Sequence, residues 1–165
     1  MRRVRYVVAM SLDGYIAGPH GEADWIIMDP DIDFQALFEQ FDAFLLGRKT
    51  FESMGGTGGG RQSGVQTIVF SRTLRQQDYP NLTIVSDNPQ QVLAELRSKS
   101  GKDIWLFGGG LLFHSLLEAR LVNAVEVSVM PVLLGEGIPL LPPNPSSERF
   151  ELQLTSFWCE KGRLS

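Results

Sequence analysis

The feature that most constrains this sequence is a run of three glycines, Gly108 to Gly110, between two apolar stretches. The stretch "DIWLF" (103–107) before it is typical of a buried strand, and the apolar residues of "LLFHSLL" (111–117) after it recur at helical spacing. Glycine lets a backbone turn sharply and approach a ligand with no side chain in the way. The pattern therefore predicts a strand, a turn and a helix, in which the turn is either a phosphate cradle or only a close-packed junction that needs positive φ.

Short apolar or alternating runs alternate with helical patterns along the whole chain, which indicates an α/β sheet. The predicted strands are 4–10, 43–47, 66–70, 82–86, 103–107, 123–130 and 150–158, and the predicted helices are 34–41, 48–54, 87–98 and the one after the glycines. We interpret the glycine-rich stretch 55–64 and the proline-rich stretch 137–147 as loops, because neither divides the chain into two complete cores. One domain over 1–165 is expected.

Composition excludes several classes of protein. The 165 residues carry a formal net charge of −4, so no basic field exists to hold nucleic acid, and any anionic ligand must be small and bound by a local cluster of cations. No apolar run reaches the roughly 18 residues of a membrane helix. The single cysteine, Cys159, and two histidines far apart in sequence give no disulfide and no metal site. We expect a cytoplasmic protein without membrane or nucleic-acid partners.

Two further turns have the composition of anion sites. In "LLGRKT" (45–50) a strand ends at a glycine, and a helix begins with two cations, an arrangement that opposes the helix dipole unless an anion binds there. In "VFSRT" (69–73) a strand ends in serine and arginine, which is also typical of an ordinary solvated strand end. The G-x-G-x-x-G fingerprint would need a glycine at position 113, which is phenylalanine, so an ordinary Rossmann site is excluded. The G-x-x-x-x-G-K-[ST] fingerprint does not occur either, which excludes a P-loop.

The segments "AMSLDGYIAG", "ADW", "LLGRKTFESM", "TIVFSRT", "LFGGGLLFHSLLE" and "GEGIPLL" occur in this order over nearly the whole chain. Together they resemble the dihydrofolate reductase superfamily, and most closely the C-terminal reductase domain of bacterial riboflavin-biosynthesis deaminase-reductases and its single-domain relatives. The resemblance implies a three-layer α/β fold. Its central sheet would be mostly parallel, with about eight strands, helices on both faces and an antiparallel C-terminal edge.

The resemblance also implies NADPH as the cofactor. The pyrophosphate and 2′-phosphate contacts would come from the strand ends, namely Gly47, Arg48, Lys49 and Thr50, Ser71 and Arg72, and Gly108, Gly109, Gly110, Leu111 and Leu112. Ala9 and Ile16 would face the nicotinamide ring. Two guanidinium groups on a phosphate dianion would favour NADPH over NADH.

On the substrate side, the resemblance implies that Ser11, Asp13 and Trp25 border the pocket and that Asp31, or its neighbour Asp33, delivers the proton. Each has an ordinary alternative. Asp13 precedes a glycine as in a simple turn, the tryptophan could be core packing, and the two acids could cap a helix.

Departures from the family pattern limit the choice of substrate. Leu111 stands where many dihydrofolate reductases have a basic residue, Phe113 lacks the hydroxyl of a tyrosine, and no arginine is placed for a folate glutamate tail. We therefore expect a reductase of a small heterocycle of the ribosylamino-pyrimidine type. The alternatives are dihydrofolate reductase itself and a catalytically silent nucleotide-binding protein. Relatives of this kind are often dimers, and we expect a homodimer.

Overall fold

The structure is a computed structural model that describes residues 1–28, 30, 32–56, 64–143 and 149–157. Its strands are β1 (Val4–Ser11), β2 (Tyr15–Ala17), β3 (Phe41–Gly47), β4 (Gln66–Phe70), β5 (Thr83–Val85), β6 (Asp103–Gly108), β7 (Ala124–Met130) and β8 (Ile138–Pro139). Its helices are α1 (Phe34–Phe38), α2 (Arg48–Ser53), α3 (Pro89–Ser98) and α4 (Gly110–Glu118). Six strands form one sheet in the order β5-β4-β3-β6-β1-β7, and every pairing in it is parallel.

The sheet is covered by helices on both faces, as the sequence predicted. Alternate residues of its inner strands point to opposite faces, and each face is packed by one pair of helices. On one face, Tyr6 and its neighbours pack against α3 and α4 through Leu93 and Phe113. On the other face, an aromatic cluster around Trp105 packs against α1 and α2. This is the three-layer arrangement that the resemblance implied, with the core in two layers, although the main sheet of the described residues has six strands where about eight were expected.

The parallel register brings the ends of three strands to one edge. Gly47 at the end of β3 pairs with Phe70 at the end of β4, and Leu46 pairs with Gly108 at the end of β6. Ser71, the residue after β4, donates its backbone N–H to the carbonyl of Val85 at 2.9 Å. The three turns that the sequence marked as anion sites therefore lie side by side at the carboxyl edge of the sheet, where α/β proteins bind ligands.

Two predicted elements differ from the structure. The helix predicted over 34–41 ends at Phe38, because Phe41 begins β3 and packs its ring 4.9 Å from that of Trp105. The strand predicted over 150–158 was wrong for 150–157, which pair with no strand of the described chain, while Trp158 lies outside the described residues. Alternation of apolar and polar residues shows that a segment could pair, and it does not supply the partner.

The antiparallel pairing lies apart from the main sheet. It joins β2 to β8, with Tyr15 opposite Pro139 and Ala17 opposite Ile138. The sequence pattern showed neither strand, since β2 has three residues and β8 has two. Such short strands carry too few residues for a periodicity to be recognised.

An arginine cluster closes the opposite, amino-terminal edge of the sheet. The guanidinium of Arg5 is 9% exposed and binds Glu126 through two hydrogen bonds of 2.6 and 2.8 Å. It also contacts Asp103 at 3.3 Å and lies 4.6 Å from the ring centre of Phe41. Partial burial alone would raise the pKa of Asp103, but hydrogen bonds from Arg3 and Arg5 outweigh it and the pKa is lowered. Asp103 is therefore held ionised.

We expect Arg5→Met to reduce the free energy of unfolding by about 1 to 3 kcal/mol, because it leaves two partly buried carboxylates without their shared cation. Arg3→Met is the matched control, since Arg3 binds the same Asp103 but is 63% exposed. Its loss should cost less than about 1 kcal/mol. Urea unfolding at pH 7 measures both values, and equal losses would contradict the role given to Arg5.

Candidate active site

The glycine turn joins β6 to α4 and is enclosed on two sides. Gly108 has a φ of +115° and a cis peptide bond to Gly109, and α4 begins at Gly110. A side chain at Gly109 would stand 3.2 Å from Thr50 Oγ1, and one at Gly110 would stand 3.2 Å from Pro142 Cδ. The turn is thus a close-packed junction with positive φ, the second of the two alternatives given by the sequence. The first N–H groups of α4 have no partner inside the helix, so the anion alternative is left open as well.

The start of α2 lies directly against this turn. Gly47 precedes α2 without a side-chain cap, and a Cβ there would come within 3.3 Å of the backbone nitrogen of Gly109. Two helix N-termini therefore open next to each other at the carboxyl edge of the sheet. Their partial positive charges add in the same region.

The cations expected at this edge differ in whether they are already paired with a carboxylate. Arg48 forms an ion pair with Glu52 at 2.9 Å, one helical turn away. Within the described part of the chain, Lys49 and Arg72 are exposed and make no hydrogen bond or ion pair. Two of the three expected cations are therefore available to an anion without breaking an existing contact.

Ser71 is buried, and its hydroxyl shapes the turn that carries Arg72. Ser71 Oγ accepts hydrogen bonds from the backbone N–H groups of Thr73 at 3.2 Å and Leu74 at 3.0 Å. These bonds fix the backbone on both sides of the arginine. Ser71 thus holds the turn in shape.

Tyr6 places a hydroxyl that the sequence analysis missed. Its ring is fully buried and stacks on Phe113 with ring centres 4.0 Å apart. Its hydroxyl has no hydrogen-bond partner among the described residues and would lie 3.8 Å from a Cβ at Gly108. Burial raises the pKa of Tyr6 well above its usual value, so the phenol keeps its proton. A hydroxyl is therefore present beside the glycine turn, although position 113 lacks one.

The residues expected near the nicotinamide lie in and after β1. Ala9 and Ile16 are half-buried, and Ser11 is fully buried. The carboxylate of Asp13 accepts hydrogen bonds from Ser11 Oγ at 2.7 Å, Leu134 N at 3.1 Å and Gly135 N at 2.7 Å. The bond from Ser11, followed by the one from Gly135, lowers the pKa of Asp13 below its usual value. Both carboxylate oxygens are therefore already engaged within the protein.

Trp25 and Asp33, which were expected at the substrate side, make hydrogen bonds within the protein. Trp25 is half-buried, and its indole Nε1 donates to the carbonyl of Glu22 at 3.1 Å. Asp33 is exposed and caps α1, accepting the N–H of Ala36 at 2.9 Å. Asp31 lies outside the described residues. The helix-cap alternative therefore describes Asp33 as it stands in the structure.

An aromatic wall lies directly before the glycine turn. Phe107 stacks on Trp105 with ring centres 4.4 Å apart and an angle of 14° between the rings, and Phe44 meets Phe107 edge-on at 5.0 Å. Trp105 is fixed further by a hydrogen bond from its Nε1 to the carbonyl of Val7 at 3.1 Å. The sequence showed these residues only as a buried strand, because their stacking depends on neighbouring strands.

The described residues show neither a metal-binding cluster nor a membrane-spanning helix. They contain no group of three or more histidine, cysteine, aspartate or glutamate side chains placed to hold a metal ion. None of their helices combines the length and apolarity that crossing a membrane requires.

We expect Gly47→Ala to cost about 1 to 3 kcal/mol of folding stability, because its new methyl group would press on the backbone nitrogen of Gly109, which cannot rotate away. Gly18→Ala is the control, since the nearest atoms there belong to the long side chain of Glu22, which can move. Thermal unfolding compares the two variants. A smaller loss for Gly47→Ala than for Gly18→Ala would contradict the close approach of the two turns.

Comparison with known proteins agrees with this geometry. The model of the RibD C-terminal domain family matches residues 2–161. The uncharacterized protein YyaP of Bacillus subtilis is 38% identical over 152 residues, covering 84% of this chain and 80% of its own. The crystal structure of a putative riboflavin biosynthesis protein from Shewanella sp. PV-4 superposes with a TM-score of 0.71 at 28% identity, covering 89% of this chain and 86% of that one.

A dihydrofolate reductase from Enterococcus faecalis, solved with NADP(H) and RAB-propyl, has a TM-score of 0.63 at 23% identity, over 88% of this chain and 80% of that one. At this identity the likeness shows the fold alone. The match to the family model covers nearly the whole chain and includes all three turns at the carboxyl edge. The chain therefore belongs to the RibD C-terminal domain family, a reductase family within the dihydrofolate reductase-like superfamily.

Proposed function

We propose that this protein is an NADPH-dependent reductase that transfers hydride to a small heterocyclic substrate of the ribosylamino-pyrimidine type. The observation that carries the proposal is the meeting of three strand ends at one edge, where the free N-terminus of α4 lies beside turns that carry the unpaired cations Lys49 and Arg72. A dinucleotide needs such a combination, since its pyrophosphate and its ribose phosphate are both anionic.

The residues at the glycine turn fit a pyrophosphate. Gly109 and Gly110 present backbone without a side chain, and the N–H groups at the start of α4, which include those of Leu111 and Leu112, would hold the phosphate oxygens. Thr50 adds a hydroxyl whose oxygen stands 3.2 Å from the position of a Cβ at Gly109. The orphaned hydroxyl of Tyr6 beside Gly108 is a further buried polar group that a bound ligand or water could satisfy.

The turn after β4 fits the extra phosphate of NADPH. Ser71 fixes the backbone around Arg72, and the arginine side chain is exposed and unpaired within the described chain. Arg48 could join it by exchanging its contact with Glu52 for the phosphate, a dianion that attracts a guanidinium more strongly than a single exposed carboxylate does. The dihydrofolate reductase from Enterococcus faecalis, which shares the fold, was itself solved with NADP(H).

When bound, NADPH supplies the hydride, and the protein supplies orientation and exclusion of water. Ala9 and Ile16 are proposed to lie against the nicotinamide ring, with Ser11 and Trp25 on the substrate side. Phe107, which is half-buried and stacks on the buried Trp105, is proposed as an apolar, planar contact for the heterocycle. The name of the Shewanella relative, a riboflavin biosynthesis protein, supports a substrate from the same chemical class.

The reduction also needs a proton. Asp31 is proposed as its source, with Asp33 as the neighbouring candidate. Because Asp33 is exposed and caps α1, it would have to leave the N–H of Ala36 to reach a substrate. Dihydrofolate reduction and silent nucleotide binding stay as alternatives, and turnover of dihydrofolate or of ribosylamino-pyrimidines separates them. The homodimer and the cytoplasmic location stay predictions.

We expect Arg72→Ala to weaken NADPH binding about ten- to a hundredfold while leaving NADH binding nearly unchanged, because a charge-assisted hydrogen bond to the 2′-phosphate is lost. A titration followed by nicotinamide fluorescence gives both dissociation constants. Arg75→Ala is the matched control, since Arg75 is an exposed arginine three residues further along, outside the turn that Ser71 shapes.

Equal weakening of both cofactors in Arg72→Ala would remove the 2′-phosphate assignment. An effect of Arg75→Ala as large as that of Arg72→Ala would show general electrostatic attraction in place of a defined site. No binding of either cofactor to the unaltered protein would overturn the proposed function itself.

A further inference from the structure

The carboxylate of Asp13 joins two loops that are more than a hundred residues apart in sequence. Its Oδ1 accepts from Ser11 Oγ at 2.7 Å and from Leu134 N at 3.1 Å, and its Oδ2 accepts from Gly135 N at 2.7 Å. The same serine oxygen accepts the backbone N–H of Tyr15 at 2.9 Å. A side chain outside regular structure therefore holds the turn between β1 and β2 against the loop after β7.

Backbone contacts extend this connection on both sides of Asp13. Leu12 donates its N–H to the carbonyl of Val132 at 2.8 Å, and Leu140 donates to the carbonyl of Gly14 at 3.0 Å. The antiparallel pair of β2 and β8 continues the same contact. Residues 11–17 and 132–140 are thus joined along their whole length, with the carboxylate at the centre.

The far end of this segment reaches the glycine turn. A Cβ at Gly110 would stand 3.2 Å from Pro142 Cδ, 3.4 Å from the carbonyl oxygen of Pro139 and 3.7 Å from that of Leu140. Because Gly110 is the first residue of α4, the segment packs directly on the helix end that the proposed function assigns to the pyrophosphate. One continuous stretch of chain, residues 134–142, therefore connects the partners of Asp13 to the glycine turn.

We propose that Asp13 is a positioning residue that holds the loop after β7 in place and, through residues 139–142, keeps the start of α4 in the geometry that binds the dinucleotide. The proposal rests on the proposed function only for the identity of the ligand. It gives Asp13 a role besides the substrate contact that the resemblance implied, because three donors within the chain already bind its two oxygens.

The charge state of Asp13 matters for this role. All three of its partners are neutral donors, and the titratable groups nearby on the packed loops are Tyr15, whose hydroxyl contacts the carbonyl of Gly135 at 3.5 Å, and Glu136. The pKa of Asp13 lies below its usual value of 3.8, so its contribution to stability is complete above that value and is lost as the pH falls through the lowered pKa. At neutral pH the connection is fully formed.

The test is Asp13→Asn, which keeps the shape of the side chain but replaces one acceptor oxygen with an NH2 group that can only donate, so that the bond from Leu134 or the bond from Gly135 is lost. We expect the amide hydrogen of at least one of these two residues to exchange at least about tenfold faster. We expect the dissociation constant for NADP⁺ to rise about three- to tenfold, at a temperature where the variant is fully folded. Ser11→Ala removes one of the three donors and should give a smaller change in both measurements.

Asp87→Asn is the matched control, because Asp87 is also exposed and also accepts a hydrogen bond from a preceding serine, Ser86, at 3.1 Å. It should change neither measurement. Unchanged exchange at Leu134 and Gly135 in Asp13→Asn would overturn the proposal. Faster exchange there with the same affinity for NADP⁺ would overturn the coupling to α4, since a purely structural role lowers stability without altering binding by the folded protein.

Failure of the proposed function can be told apart from failure of this inference. If the unaltered protein binds no NADP⁺, the amide exchange of Phe113, whose N–H donates to the carbonyl of Gly109 at 3.0 Å at the start of α4, replaces the binding measurement. Faster exchange at this amide in Asp13→Asn, but not in Asp87→Asn, would still support the connection. Unchanged exchange there would overturn it.

Discussion

The site depends first on the parallel pairing of β3 with both β4 and β6. This pairing sets Gly47 beside Phe70 and Leu46 beside Gly108, so that three chain reversals fall at one edge. The proposed dinucleotide would contact all three turns. The site is a property of the register, because a shift by one residue would turn inward-facing side chains outward and separate the turns.

The cations at the two edges of the sheet differ in whether they are paired. At the amino edge, Arg5 is buried and paired with carboxylates on two other strands, which ties β1 to β6 and β7. At the carboxyl edge, Lys49 and Arg72 are exposed and unpaired in the described chain. Paired charges hold the sheet together at one end, and unpaired ones leave the other end attractive to an anion. A net negative protein can in this way keep a local positive site.

Much of the fold and of the cofactor edge could be predicted from the sequence, because glycines, strand periodicity and cations at strand ends are local signals. Two features could not. The stacking of Tyr6 on Phe113 and the bonds of Asp13 to residues beyond 130 join distant parts of the chain, and a single sequence carries no record of such pairs. The strand expected at 150–158 was wrong over 150–157 for the converse reason, since a local pattern was present without a partner.

The stacking of Trp105 on Phe107 has a practical consequence. The indole of Trp105 is 6% exposed and stacks on Phe107. Trp105 lies three positions before Gly108 in the sequence, and its indole N–H donates to the carbonyl of Val7. We expect such a chromophore to emit with little influence from bulk water and to respond to a ring that stacks on Phe107. The protein would then contain an intrinsic optical reporter next to the place proposed for a heterocycle.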